Sequence, residues 1–236
     1  DTYITNGKKN EEWEPKFTFH GFRYAEVTGF QHTPKLDDVI GYVIGSNTTR
    51  VGDFECSNKI VNQVYKNAVW TQRANFLEVP TDCPQRDERL GWTGDAQVFI
   101  RSAICNMDTA AFFTKWMNDV NDAQHDYGAF TNVAPDVLQS NGDAAWGDAG
   151  VVCPWVLYQC YEDIDLLKNC YPYMKKWISF LKNTSEKWLR KPGIKHSGGI
   201  TFSFGDWLSI NANTPKEVIQ TAYFAFATET VLNAAQ

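Results

Sequence analysis

No stretch of this 236-residue chain is apolar over the roughly 20 residues a membrane-spanning helix requires, so membrane insertion is not expected. Basic blocks are missing too. Lys and Arg total 22 against 28 Asp and Glu, a net charge of −6, and no lysine or arginine cluster is there to neutralise phosphates. Nucleic acid is therefore not an expected partner. The six cysteines (Cys56, Cys83, Cys105, Cys153, Cys160, Cys170) form no CxxC pair and have no neighbouring histidine at ligand spacing. That argues against a zinc centre, and neither a metal nor another cofactor is expected. Several cysteines lie in apolar helical sequence, where a thiol acts as a small hydrophobe; unpaired buried thiols are the expectation, although an even count leaves disulfides open. His20, His32, His125 and His196 are scattered without partners and read as surface or core residues.

The termini carry no start or stop signals. Asp1 opens a polar stretch with neither an initiator methionine nor a signal peptide, and Ala234-Ala235-Gln236 ends inside a helical pattern. The expectation is an excerpt of a longer protein. Its compartment stays open between periplasm, cell exterior and cytoplasm, as does its oligomeric state.

Aromatic residues are plentiful: 14% of the chain, including 9 Trp, beside an ordinary hydrophobic fraction of 43%. A large core and a sugar-binding cleft both use such residues. The first fifty residues have a strand-like rhythm, with Phe17, Phe19, Phe22 and Tyr24 among polar neighbours and a second run over Val39–Ile44. An isolated pair of strands buries too little to stand alone. After Gly52 the periodicity turns helical. Ser57 or Asn58 is placed to cap a helix carrying Ile60, Val61, Val64, Tyr65, Ala68 and Val69 on one face. Further helices are predicted from Asp95, from an Asp108 cap and from near Asp148, the last apolar nearly all round. Two more are predicted from Pro172 in a first turn and from a Thr214-Pro215-Lys216-Glu217 capping box. At least six helices in succession, alternately amphipathic and apolar, fit two concentric layers.

Between the first two helices lies Val79–Asp95, VPTDCPQRDERLGWTGD. It gathers Asp82, Arg86, Asp87, Glu88, Arg89 and Asp95 beside Trp92, broken by Pro80, Pro84, Gly91 and Gly94. Charged residues avoid burial unless paired, so a surface loop is the plain alternative. A sugar-cleaving pocket uses the same set: carboxyls hold hydroxyls or move protons, arginine orders them, and an indole face meets the sugar's C–H surface. Asp95 is equally placed to cap its helix, and Asp87 and Arg89 to form a structural ion pair. Downstream, Trp146, Asp148, Asp206 and Trp207 lie in Gly-punctuated loops where a pocket is built, with Asp148 also a helix N-cap candidate.

DCPQRDERLGWTGDAQVF resembles the signature of the bacterial α-L-rhamnosidases, glycoside hydrolase family 78. Phe17–Val27 is similar to the end of the β-domain that precedes the catalytic module in that family, and Phe54–Trp70 to the first barrel helix. Ala145–Ala149 and Phe204–Leu208 resemble its later pocket segments. The resemblance implies a mainly α chain: the last strands of a β-sandwich domain over 1–50, then the N-terminal part of an (α/α)6 toroid over 51–236. It implies inverting removal of terminal α-L-rhamnose from a glycan or glycoside, without a cofactor. Inversion needs two carboxyls about 6.5–9.5 Å apart, one protonating the leaving oxygen and one activating water. Glu88 matches the general acid. Asp82 and Arg86 match residues gripping the rhamnose hydroxyls, and Asp95 falls on another acidic position of the pocket. Trp92, Trp146 and Trp207 match aromatic walls, and Asp148 and Asp206 lie in the same pocket segments. The family's general base is a glutamate on a later part of the barrel, and no residue of this chain matches it. The alternatives are another inverting (α/α)6 glycosidase with a different sugar specificity and a non-catalytic carbohydrate-binding module.

Overall fold

The structure, a computed structural model, describes residues 1–236 apart from Lys9, Gln31, His32 and Ala212; the reading of His32 thus lies outside the described residues. Six α-helices dominate: α1 (Lys59–Asn75), α2 (Thr93–Asn106), α3 (Ala110–Asp122), α4 (Ala149–Tyr161), α5 (Ile164–Asn183) and α6 (Lys216–Ala234). Two minimal antiparallel pairs sit in the connections. β1 (Phe76–Leu77) meets β2 (Val79–Pro80), with Phe76 opposite Pro80, and β3 (Lys195–His196) meets β4 (Gly199–Ile200). No described helix is long and apolar enough to cross a membrane.

Helix α4 is the organising element. Val151, Val152, Cys153, Val156 and Leu157 are all buried, on several faces, and the helix packs against α2, α3, α5 and α6. A helix apolar all round is stable only when others surround it. Its neighbours are amphipathic: α3 buries Phe113, Trp116, Met117 and Val120, and α5 buries Leu166, Leu167, Met174, Trp177 and Leu181. Helix α1 joins α2 partly through polar groups. The Gln72 side chain donates to Ala103 O at 3.1 Å and accepts from Asn106 Nδ2 at 2.9 Å, which satisfies both buried amides.

Several helix starts differ from the pattern-based positions. Asn58 does cap α1, its Oδ1 accepting from the backbone N–H groups of Ile60 and Val61. Helix α2, however, begins at Thr93 with Trp92 as its N-cap residue, so Asp95 occupies the first turn instead of capping. Its negative charge suits the positive end of the helix dipole there. Helix α3 starts after Thr109, while Asp108 Oδ1 accepts from Ala110 N at 3.2 Å. Helix α5 starts at Ile164, capped by Asp163 through Leu166 N, so Pro172 lies inside it and not in its first turn. The missing proline N–H ends no helix here, because the buried face on either side holds the two halves in line. Helix α6 follows Pro215 with no side-chain cap, so Thr214 does not form the anticipated box.

Among the described residues of the first fifty, no strand ladder forms. A 3-10 turn at Leu36–Asp38 is the regular element there, and Phe17, Phe22, Tyr24, Ile40, Tyr42 and Val43 are exposed. Extended segments need partner strands for their N–H and C=O groups, and these two do not pair with one another. The cysteines also differ in part from expectation: all six are free, but only Cys153 and Cys170 are buried, and Cys105 and Cys160 are exposed.

Candidate active site

The connection from β2 to α2 closes on itself. Asp82 N donates to Leu90 O at 3.0 Å, and Leu90 N donates to Asp82 Oδ1 at 2.9 Å, pinching the chain into a loop whose tip carries Arg86, Asp87 and Glu88. Trp92 and Thr93, just past the neck, are tied to the 131–134 segment: Trp92 bridges Val133, and Thr93 N donates to Asn132 O at 3.0 Å. The loop is thereby clamped to the start of α2 and to the long α3–α4 connection.

Within the loop, Glu88 is the centre of contacts. Trp92 Nε1 donates to Glu88 Oε1 at 2.9 Å, and Arg86 Nη2 lies 2.5 Å from Glu88 Oε2. The Glu88 side chain is 29% exposed and the Asp82 side chain 9%, whereas Arg86 is 63% exposed. Glu88 is thus sheltered against the indole edge with one side open, the arrangement required of a group that must reach a ligand. Arg86 also stands 4.0 Å from Asp82. Being largely in water, it adds little stability, but it lies where a guanidinium can orient both carboxylates. Asp82, Cys83 and Glu88 each bring one potential metal-ligand atom within 4.8 Å of the others. Arg86 already supplies positive charge there, and burial followed by the Asp82 hydrogen bond pushes the Cys83 thiol up, away from its ligating thiolate form.

Asp95 is open to solvent on one side, yet burial of the rest of its carboxyl raises its pKa, with the Asp82 and Glu88 charges adding to the rise. All three acids therefore share one electrostatic neighbourhood. The expected Asp87–Arg89 pair is loose: 4.0 Å apart, with Asp87 fully in water. Arg89 instead lies over the ring of Phe19, 4.6 Å from its centroid.

The aromatic wall converges on a residue that sequence reasoning did not single out. The Phe204 ring lies 4.6 Å from Trp146, 5.4 Å from Trp207 and 6.1 Å from Trp92, centroid to centroid. Through it, indoles from three distant segments meet beside the Glu88 loop. Trp146 is buried and Trp207 is 61% exposed, so the wall runs from core to surface. Gly94 makes room for it: a Cβ there would come within 2.8 Å of the Trp146 indole.

Asp148 stands behind the wall. It is buried, and both its oxygens are engaged, Oδ1 by Trp177 Nε1 at 2.8 Å and Oδ2 by Ala145 N at 2.9 Å. It occupies the N-cap position of α4 without a capping bond from its side chain. Burial lifts its pKa to about 6 against the pull of Trp177, Ala145 and Arg190. Asp143, also buried, accepts from Asn132 Nδ2 at 2.7 Å and is lifted to about 6 in the same way, opposed by Asn132, the Phe204 backbone and Arg190. The fully buried Arg190 acts on both acids through its charge, without an ion pair to either within 4.0 Å among the described residues, and burial lowers its own pKa. Neither Asp143 nor Arg190 was legible beforehand, since nothing in their local sequence distinguishes them from surface charge. Asp206 is exposed and joined to the others by no side-chain hydrogen bond or ion pair among the described residues.

Residues 49–236 match the bacterial alpha-L-rhamnosidase 6 hairpin glycosidase domain, and residues 1–45 the bacterial alpha-L-rhamnosidase concanavalin-like domain. The chain belongs to the bacterial alpha-L-rhamnosidase family. An alpha-L-rhamnosidase of Streptomyces avermitilis is 46% identical over 230 residues, covering 97% of this chain and 22% of that relative. One from Formosa agariphila is 40% identical over 246 residues, covering 100% of this chain and 26% of the relative. The crystal structure of the Streptomyces avermitilis enzyme complexed with L-rhamnose superimposes with a TM-score of 0.89 over 97% of this chain and 22% of that one. The native Aspergillus terreus alpha-L-rhamnosidase superimposes with a TM-score of 0.81 at 36% identity, over 95% of this chain and 27% of that one. The chain thus spans about a quarter of the length of these relatives. Its helices are part of the six-hairpin glycosidase fold, as the rhamnosidase resemblance implied.

Proposed function

We propose that the protein carrying this chain is an inverting α-L-rhamnosidase that removes terminal α-L-rhamnose from glycans or glycosides by single displacement. Glu88 donates the proton to the leaving oxygen. The observation that carries this reading is the Glu88 carboxyl, hydrogen-bonded to Trp92, flanked by Arg86 and Asp82, and open on one side. Asp82, Arg86 and Asp95 take the sugar hydroxyls: a carboxylate accepts from adjacent hydroxyls while the guanidinium donates. Trp92, Trp146 and Trp207, gathered by Phe204, form an apolar wall for the ring face and the C6 methyl of a deoxy sugar. Asp206, exposed beside Trp207, serves the outer edge of that pocket. Asp148, with both oxygens occupied, acts by holding the Ala145–Trp146 segment. The water-activating carboxylate is assigned to no residue of this chain. A relative crystallised with L-rhamnose supports the choice of sugar.

Proton NMR of the first-formed product in the intact protein tests the mechanism. β-Rhamnose is expected, and initial α-rhamnose rules out single displacement. The Glu88→Gln variant, which cannot deliver a proton, should lose about 10²- to 10⁴-fold in kcat/KM on a substrate with a poor leaving group. Tight rhamnose binding without any turnover in the unaltered protein would turn the reading to a carbohydrate-binding module.

A further inference from the structure

Glu88 stands at the tip of a loop whose neck is tied by backbone hydrogen bonds across it, while the backbone of the tip bonds only within its own turn. Pro84–Asp87 form a turn, and Glu88 N donates to Arg86 O at 2.8 Å, a contact internal to the turn. The next residue, Arg89, has φ +57, the left-handed region that a side chain with a Cβ disfavours. Something outside the loop has to hold this conformation. The Asp87 pair does not, being 4.0 Å long and in water. The Arg89 side chain is 23% exposed and its Nε is buried without a hydrogen-bond partner, so the loose Asp87 pair leaves that part of the cation unmatched.

Its partner is Phe19, whose ring lies beneath the guanidinium at 4.6 Å. Among the described residues of 1–45, Glu11 and Phe19 are half-buried and the others exposed, so Phe19 marks the place where this segment touches the helical body near the loop. Two residues on, Gly21 backs against the same turn: a Cβ there would fall 2.8 Å from Gln85 Cα and Cβ. Both contacts land on the tip, one on either side of Glu88. A partly desolvated cation–π contact is strong enough to offset the cost of holding one residue left-handed. Removing the ring therefore frees the tip while the Asp82–Leu90 hydrogen bonds keep the neck closed.

We propose that Phe19 and Arg89 are positioning residues for the acid step: the segment matching the concanavalin-like domain braces the loop of the six-hairpin domain and sets the reach of Glu88. This rests on Glu88 being the proton donor. The test compares aryl α-L-rhamnosides in the intact protein. A 2,4-dinitrophenyl leaving group departs with little protonation, whereas a 4-methoxyphenyl group needs the acid. Phe19→Ala is expected to lower kcat on the 4-methoxyphenyl substrate about tenfold, since small misplacements of a catalytic group cost up to about 10²-fold. On the dinitrophenyl substrate kcat should change less than about threefold, with KM for both substrates unchanged. Phe19→Tyr, which keeps the ring face, should restore the rate, while Arg89→Met should reproduce the Phe19→Ala split. Equal losses on both substrates, or none, overturn the proposal when Glu88→Gln shows the leaving-group split. If Glu88→Gln shows no split either, the assignment of the acid fails and the bracing role falls with it.

Discussion

Trp92 Nε1 donates to Glu88 Oε1 at 2.9 Å, so the N-cap residue of α2 also holds the carboxyl four positions before it. The bond ties the orientation of the proposed acid to a helix that packs on the central α4. Loop chemistry is thereby referenced to the rigid part of the molecule.

Trp92→Phe keeps an aromatic ring and removes the donor. A hydrogen bond of this kind contributes about 0.5–1.5 kcal/mol, so kcat/KM on an aryl rhamnoside should fall by up to about tenfold. Far-UV circular dichroism should not change. An unaltered kcat/KM would show that this bond does not orient the acid.

Phe204→Ala removes the ring that joins Trp92, Trp146 and Trp207. Because it acts on the wall and not on the proton donor, the expected effect is a rise of about tenfold in the dissociation constant for rhamnose. Each aromatic pair contributes about 0.5–1.5 kcal/mol beyond area burial. Isothermal titration with rhamnose measures it; unchanged affinity would remove Phe204 from the pocket.

Gly94→Ala pits two effects against each other. Alanine raises helix propensity by about 1 kcal/mol over glycine, but the added methyl meets the Trp146 indole at 2.8 Å in a packed surround. Overpacking costs about 1–3 kcal/mol, so the clash wins, the melting temperature falls by a few degrees and rhamnose affinity drops with the shifted indole. A higher melting temperature with normal affinity would mean that Trp146 gives way freely.

The buried acids give a pH dependence of definite sign. Asp143 and Asp148 are raised to about 6 in the folded protein, whereas an unfolded aspartate titrates near about 3.9. The native state holds the extra protons, so their contribution is fully present below about pH 4 and is lost as pH rises through about 6. Each group accounts for on the order of 3 kcal/mol over that window. Thermal melts of the intact protein between pH 4 and 7 should therefore have a shallower slope in Asp148→Asn than in the unaltered protein. Parallel slopes would show that Asp148 does not titrate in this range.

The chain's own residues were enough to announce six helices, an apolar central one, and a loop dense in acids, arginine and tryptophan. Helical periodicity and the DCPQRDERLGWTGD motif are local properties, readable because side-chain spacing and turn residues act over a few positions. Helix starts were legible at Asn58, where a side-chain cap acts, and missed at Lys216, where none does; at Ile164 the Asp163 cap acts well ahead of Pro172, the proline expected in the first turn. The meeting of Trp92, Trp146 and Trp207 on Phe204, the burial of Arg190 within the field of Asp143 and Asp148, and the seat of Arg89 on Phe19 came only from the folded chain. Each joins residues tens of positions apart, and contacts at that separation are set by how α4 and its neighbours pack. No local spacing encodes them.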